Sequence, residues 1–478
     1  MSYQKIKPPA GNPAMPPAFL MKMMFALNIT PPAPDPVFVK PDNWGEMTPE
    51  ERRNARLDHW AQGKGIKFAD STAESKYKER AKLIRDAVTV GVKPERVPAF
   101  SVVGVYPMRR VGLTAKSIFY DQWNDAALSH VKFHTDFKPD AAMFNFANSG
   151  EAYELLDYQV IKWPGYNLPA EQSYQYNEEE FMKGDEYHLL LRDTSDFIMR
   201  VVTPRMFKGL SGLAQMPQFF MGAMGGNAIL MPFLIPEVNE ALKKLKKAAE
   251  LTALTLPAVS TMLDGPPIQG FPQFYGSLSL APFDLIGDVM RSTRGILTDM
   301  FRRKDELIEA CDRFSDLMLE SPLMQFSSSP LVFIPLHKGA DRFMSQEQFE
   351  TFYWPSLKKL MLGLVEDGFI PAPFAEGTYD KRLEIIADFP KGSAMWLFDQ
   401  SDMRNVAKVL GDKLAFAGNV PSSLTVTGTP DQMTAYCKDL IETCGPTGNF
   451  ILTNGCQVDE AKEENLHAML QSVKKFKV

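Results

Sequence analysis

His337, Glu376, Asp399 and Cys456 are the residues of this 478-residue chain whose types and settings could do chemistry. Each follows a short apolar run. Residues 331–336 lead into His337-Lys338, 370–374 into Ala375-Glu376-Gly377, 394–398 into Asp399, and 449–453 into Asn454-Gly455-Cys456. Imidazole nitrogen, carboxylate oxygen and thiolate sulfur are the donors zinc accepts, and a catalytic zinc keeps one position open. Cys456, Glu376 and His337 are therefore the candidate metal ligands, with Asp399 the alternative third donor. Glu376, His337 and Asp399 are the candidate catalytic groups, since carboxyl and imidazole also exchange protons. No local ligand spacing such as H-E-x-x-H occurs, so a metal site here needs a fold that gathers four distant positions.

Other polar residues stand at the same kind of place. The run 100–106 leads into Pro107-Met108-Arg109-Arg110, and the run 414–417 into Gly418-Asn419. Pro282 and Asp284 come after the run 274–280. Arg109, Arg110, Tyr379 and Asn419 are the candidate substrate contacts among them. A segment rich in methionine and phenylalanine adds two more, Phe220 and Met221, on a soft apolar surface suited to cover an aromatic substrate or to meet a partner protein.

The elements that must position these residues are read from the pattern. Eight β-branched or aromatic runs (100–106, 141–146, 274–280, 331–336, 370–374, 394–398, 414–417 and 449–453) alternate with amphipathic segments of helix length. Eight buried parallel strands with intervening helices describe an α/β chain folded as a (β/α)8 TIM-type barrel, whose loops after the strands open on one face. A doubly wound sheet is the competitor, but no G-x-G-x-x-G follows any run. The gap between the second and third runs is too long for one helix, so residues 150–270 are expected to be an insertion. The predicted organisation is a proline-rich arm over 1–45, a helical segment over 46–98, and the barrel over 99–478. The arm holds 10 of the 36 prolines. Proline removes backbone donors, so the arm is expected to be extended and to pack on another surface, as in a homo-oligomer.

Composition removes several alternatives. The net charge of -6 excludes a nucleic-acid coat, which needs a basic surface. Four cysteines without a C-x-x-C pair do not make a disulfide framework and fit a reducing, cytoplasmic setting. No run of about 18 apolar residues is present, so the chain is expected to have no membrane span and no membrane partner.

The segment 274–476 resembles the uroporphyrinogen decarboxylase superfamily, which also contains zinc-dependent cobamide methyltransferases. The resemblance is carried by Ser279-Leu280-Ala281-Pro282-Phe283, by Gly418-Asn419-Val420-Pro421, by the stretch 448–452 leading to Gly455-Cys456, and by Glu464-Asn465-Leu466-His467-Ala468-Met469. A weaker likeness covers Met108-Arg109-Arg110-Val111-Gly112. Together these imply the barrel, with its mouth as the active site.

The departures choose between the two chemistries that the resemblance implies. The decarboxylase pattern M-R-Q-A-G-R has a second arginine where this chain has Leu113, and leucine cannot bind a propionate. The methyltransferase pattern H-x-C-G falls on Phe374-Ala375-Glu376-Gly377, and its last cysteine on Cys456. Glu376 thus stands in place of a thiolate, which makes the site harder and suits polarisation of an ether oxygen. The leading expectation is metal-assisted transfer of a methyl group from a small donor, such as an aromatic methyl ether, to a corrinoid. No D-x-H-x-x-G corrinoid motif occurs, so a separate corrinoid protein would be the partner. If no metal is held, Glu376 would protonate the leaving oxygen, provided burial raises its pKa. The alternatives are a cofactor-free decarboxylase using Arg109, Arg110 and His337, and a non-catalytic barrel subunit.

Overall fold

The computed structural model describes residues 14–15, 33–34, 38–143, 145, 148–321 and 324–477. Most of the proline-rich arm therefore lies outside the described residues, as do positions 144 and 146 of the run 141–146. Strands are numbered in chain order. A hairpin of β1 (Ile161–Lys162) and β2 (Gln175–Tyr176) lies within the insertion. The main sheet holds β3 (Ser277–Leu278), β4 (Leu331–Leu336), β5 (Ile370–Ala375), β6 (Met395–Phe398), β7 (Ala415–Val420) and β8 (Phe450–Asn454), each parallel to the next. The two-residue strand Met324–Gln325 pairs antiparallel with β3.

The sheet closes on itself through the first two apolar runs. Ala99 bridges Leu452 of β8, and the amide of Phe100 donates to the Leu452 carbonyl at 3.1 Å. The Asp140 amide donates to the Ala99 carbonyl at 2.7 Å, and the Phe274 amide to the Ala142 carbonyl at 2.8 Å. These bonds carry the ring from β8 through residues 99 and 140–142 to β3. The chain is a TIM barrel, with all eight apolar runs as its staves.

Side-chain alternation along the staves decides what faces inward. Leu331, Ile370, Ala372, Phe374, Met395, Leu397, Ala415, Ala417 and Ile451 share one buried cluster inside the ring. Their neighbours Ile334, Leu336, Ala375, Trp396, Phe398, Phe416 and Leu452 pack outward against the helices. Since successive side chains alternate faces, the inward series continues past the strand ends to His337, Glu376, Asp399 and Asn419.

Two helices form the floor. Pro49–Ala61 starts with a capping box in which Thr48 and Glu51 satisfy each other's backbone amides, and Ser71–Val88 is capped by Asp70. Leu57, Trp60, Tyr77 and Ile84 join the inner cluster. Arg56 bonds the carboxylate and the carbonyl of Asp367, both at 2.9 Å, just before β5 begins. With the floor sealed at the strands' start, the opposite end is the open mouth.

Candidate active site

His337 is held by a scaffold from the neighbouring stave. The segment after β3 contains Pro282–Leu285 and a π-helical turn, Ile286–Arg291. Buried Asp284 accepts the amide of His337 at 2.8 Å, that of Lys338 at 2.9 Å, and the Tyr353 hydroxyl at 2.6 Å. Its carboxyl is raised above the usual range, by burial first, with Asp288 adding repulsion and His337 opposing. One turn further on, Asp288 accepts Nδ1–H of His337 and the ammonium of Lys338. Burial works against the charge of Asp288, but the bonds from His337 and Lys338 prevail and hold its carboxyl below the ordinary value.

This arrangement makes His337 a cation. Burial disfavours its charge, yet the Asp288 bond and the negative fields of Asp284, Asp288 and Glu376 outweigh it and push the pKa up to about 9. The other ring nitrogen, Nε2, points at Glu376 with 3.8 Å to Oε1. Glu376 itself is raised, mainly by burial and then by Asp284, Asp399 and Asp288, with His337 pulling the other way. An imidazolium and a reluctant carboxylate thus share the mouth, and a proton can reside on either.

Asp399 and Cys456 lie on the far side. Asp399 accepts the amide of Gly377 at 2.9 Å and is raised by burial despite that bond. Gly377 has φ +84°, which lets the chain turn from β5 back over Asp399. The Cys456 sulfur meets the Ser422 hydroxyl at 3.1 Å. Burial raises its thiol, the Ser422 bond opposes this, and the charges of Asp399, Glu376 and Asp459 add to the rise. A cavity of about 650 Å³ beside them is lined by Asp399, Asn419, Ser422, Tyr436, Arg404 and Cys456 among others. That is within the range of about 300–1,000 Å³ usual for small-molecule sites.

The expected metal trio is not assembled as a ligand set. His337 Nδ1 is taken by Asp288, its Nε2 faces Glu376 as an opposite charge, and the Cys456 thiol turns to Ser422. Among the described residues no group of three His, Cys, Asp or Glu side chains is placed to hold an ion. The carboxylate on Nδ1 is also the outer partner that a zinc-bound histidine commonly has, and it leaves Nε2 without a hydrogen bond on the side of Glu376.

Several candidate substrate contacts also stand elsewhere. Arg109 pairs with Glu460 and donates to the Glu171 carbonyl at 2.7 Å. Arg110 grips both oxygens of Glu463 at 2.8 and 3.0 Å, pairs with Asp136, and lies over the Phe137 ring. Their charges are spent within the chain. Tyr379 is fully buried, with its backbone amide on Ser401 Oγ at 2.9 Å. Phe220 and Met221 sit in the turn Phe219–Met224, where Phe220 is 63% exposed, and neither lines the cavity. Asn419 does line it, with its amide anchored on the Ser401 carbonyl at 2.7 Å.

Two tyrosines of the β1–β2 hairpin feel the charge of the mouth carboxylates. The Tyr174 phenol is raised by desolvation and then by Asp459 and Glu376, and that of Tyr176 by desolvation, Tyr174, Asp288 and Glu376. Neither tyrosine has a sequence signal beyond an alternating Tyr-Gln-Tyr. Asp288 is equally silent: it sits inside a segment that reads as ordinary helix, and only the π-helical turn aims it at His337.

Comparison with known proteins agrees with this architecture. Residues 271–476 match the family model described as Uroporphyrinogen decarboxylase (URO-D). Among solved structures, a methyltransferase from Methanosarcina mazei superimposes with a TM-score of 0.50 at 16% identity, covering 83% of this chain and 98% of that one. At that identity the likeness is one of fold. No curated protein sequence matches the chain significantly.

Proposed function

We propose that the chain is an enzyme that moves a methyl group from an oxygen of a small uncharged donor, an aryl methyl ether being the type substrate, to a corrinoid carried on a separate protein. The observation that supports this most is the His337–Glu376 pair at the barrel mouth, 3.8 Å apart and clamped by Asp288. An ether oxygen leaves poorly as an anion. A proton delivered as the C–O bond breaks removes that penalty, an effect worth roughly 10²–10⁴ in rate. The methyl carbon passes to the acceptor, the C–O electron pair stays on oxygen, and Glu376 gives oxygen the proton that His337 replenishes. The corrinoid, when bound, supplies a strongly nucleophilic acceptor.

The charge balance of the mouth bears on the donor. Asp284, Asp288, Glu376 and Asp399 gather at the mouth with His337 and Lys338, while Arg109, Arg110 and the cavity-lining Arg404 are each paired with another carboxylate. Such a site repels polyanions, which counts against a porphyrinogen and for a neutral donor. The solved methyltransferase of similar fold is consistent with the reaction class.

The test is a demethylation assay on methoxybenzoid ethers with reduced cobalamin as a free acceptor. Formation of the phenol together with methylcobalamin, lost in Glu376→Gln, supports methyl transfer. Carbon dioxide release from a carboxylated substrate, with no methyl transfer to any acceptor, would replace it with the decarboxylase.

A further inference from the structure

From the structure we infer that the methionine- and phenylalanine-rich tip of the insertion is a docking surface for an anionic lipid membrane. Its composition sets it apart. No charged residue occurs between Lys208 and Glu237, and from Phe219 to Pro236 the one polar side chain is Asn227. The segment folds into three short turns, Phe219–Met224, Gly226–Leu230 and Met231–Leu234, packed on one another. Phe233 and Ile235 turn inward onto a small anchor cluster with Leu210, Leu213 and Val238. The remainder face out: Phe219, Phe220, Met224, Leu230, Met231 and Leu234 are between 51% and 76% exposed.

Six large apolar side chains exposed together are more than isolated surface hydrophobics and call for a cover. The adjoining helix, Pro236–Ala253, supplies the charge complement. It begins directly after the tip with exposed Glu237 and Glu240 and then carries Lys243, Lys244, Lys246 and Lys247, four cations against three glutamates along its length. Lys243, Lys246 and Lys247 are exposed, and Lys247 alone of them has an ion pair, with Glu250 at 3.5 Å. An apolar edge next to a lysine cluster fits a bilayer whose surface is negative and whose interior makes no hydrogen bonds. A protein partner would instead demand polar contacts at about one per 100–200 Å² of interface, and this tip has almost none to offer. Among the described residues no helix is long and apolar enough to cross a membrane. Membrane docking is independent of the reaction proposed for the barrel mouth.

Flotation of the purified full-length chain with vesicles tests it. Phosphatidylcholine mixed with phosphatidylglycerol should carry the protein up the gradient, and phosphatidylcholine alone should carry far less. Phe219→Glu with Leu234→Glu, both at exposed positions, should abolish flotation while leaving the circular dichroism spectrum and melting temperature unchanged. Lys243→Gln and Lys247→Gln should each weaken binding to the anionic vesicles about five-fold, an effect lost at high salt. Failure of the parent chain to float with either vesicle overturns the inference. So does self-association in sedimentation that Leu234→Glu abolishes without any vesicle binding, which would give the surface to a second copy. Capture of a purified corrinoid protein by the tip, again without vesicle binding, would give it to that partner.

Discussion

Asp288 bonds Nδ1 of His337 while Glu376 waits 3.8 Å from Nε2, so the imidazole is flanked on both nitrogens by carboxylates from neighbouring staves. Three successive strand ends contribute to this line. Asp284 and Asp288 come after β3, His337 after β4 and Glu376 after β5. The same Asp288 also takes the Lys338 ammonium, which keeps it ionised and therefore able to hold the imidazolium.

That flanking sets a pH dependence. The pKa of His337 is raised from an ordinary value near 6.5 to about 9, so its charge is present below that point and lost as pH rises through it. Methyl transfer is expected to fall on the alkaline side with an inflection near 9. Asp288→Asn removes the main partner and should shift the inflection downward. The stability contributed by the charged His337 has the same sign: complete below about 6.5, it drains away up to about 9. Rate profiles and melting temperatures at the two ends of this window check both expectations. An inflection that does not move in Asp288→Asn contradicts them.

The clamp beneath His337 should be worth measurable stability. In Tyr353→Phe the buried Asp284 keeps its two backbone donors but loses the hydroxyl at 2.6 Å. A hydrogen bond to a charged group contributes about 1.5–3 kcal/mol, and denaturant titration should show a loss of that order. A variant as stable as the parent would mean that Asp284 finds its support elsewhere.

The donor arrangement also bears on metal dependence. Because the proposed step uses a proton from the His337–Glu376 pair in place of a Lewis acid, turnover should survive exhaustive chelation. Cys456→Ala should leave it within a few-fold. Activity lost to the chelator and restored by zinc alone would return Cys456, Glu376 and His337 to the role of ligands.

The barrel was legible because its staves are buried on both faces, so each reads as an unbroken apolar run bounded by polar residues. Alternation then places His337, Glu376, Asp399 and Asn419 inward without any motif. Other features depend on relations that no local pattern encodes. Arg110 looks like a mouth residue from its place after the first run, but Glu463 and Asp136, distant in sequence, draw it to the outside. Asp288 is aimed by a π-helical turn, whose spacing a 3.6-residue periodicity misses. The Met-rich segment suggested a substrate cover by composition alone, and neither Phe220 nor Met221 lines the cavity.

The central claim, that Glu376 and His337 deliver the proton to a departing oxygen, is tested most directly by varying the leaving group. Single-turnover demethylation should be compared between the parent chain and Glu376→Gln for anisole and for 4-nitroanisole. A phenolate stabilised by the nitro group needs little protonation, so the variant should lose roughly 10²-fold or more on anisole and far less on the activated ether. An equal loss on both substrates would contradict proton delivery by this pair.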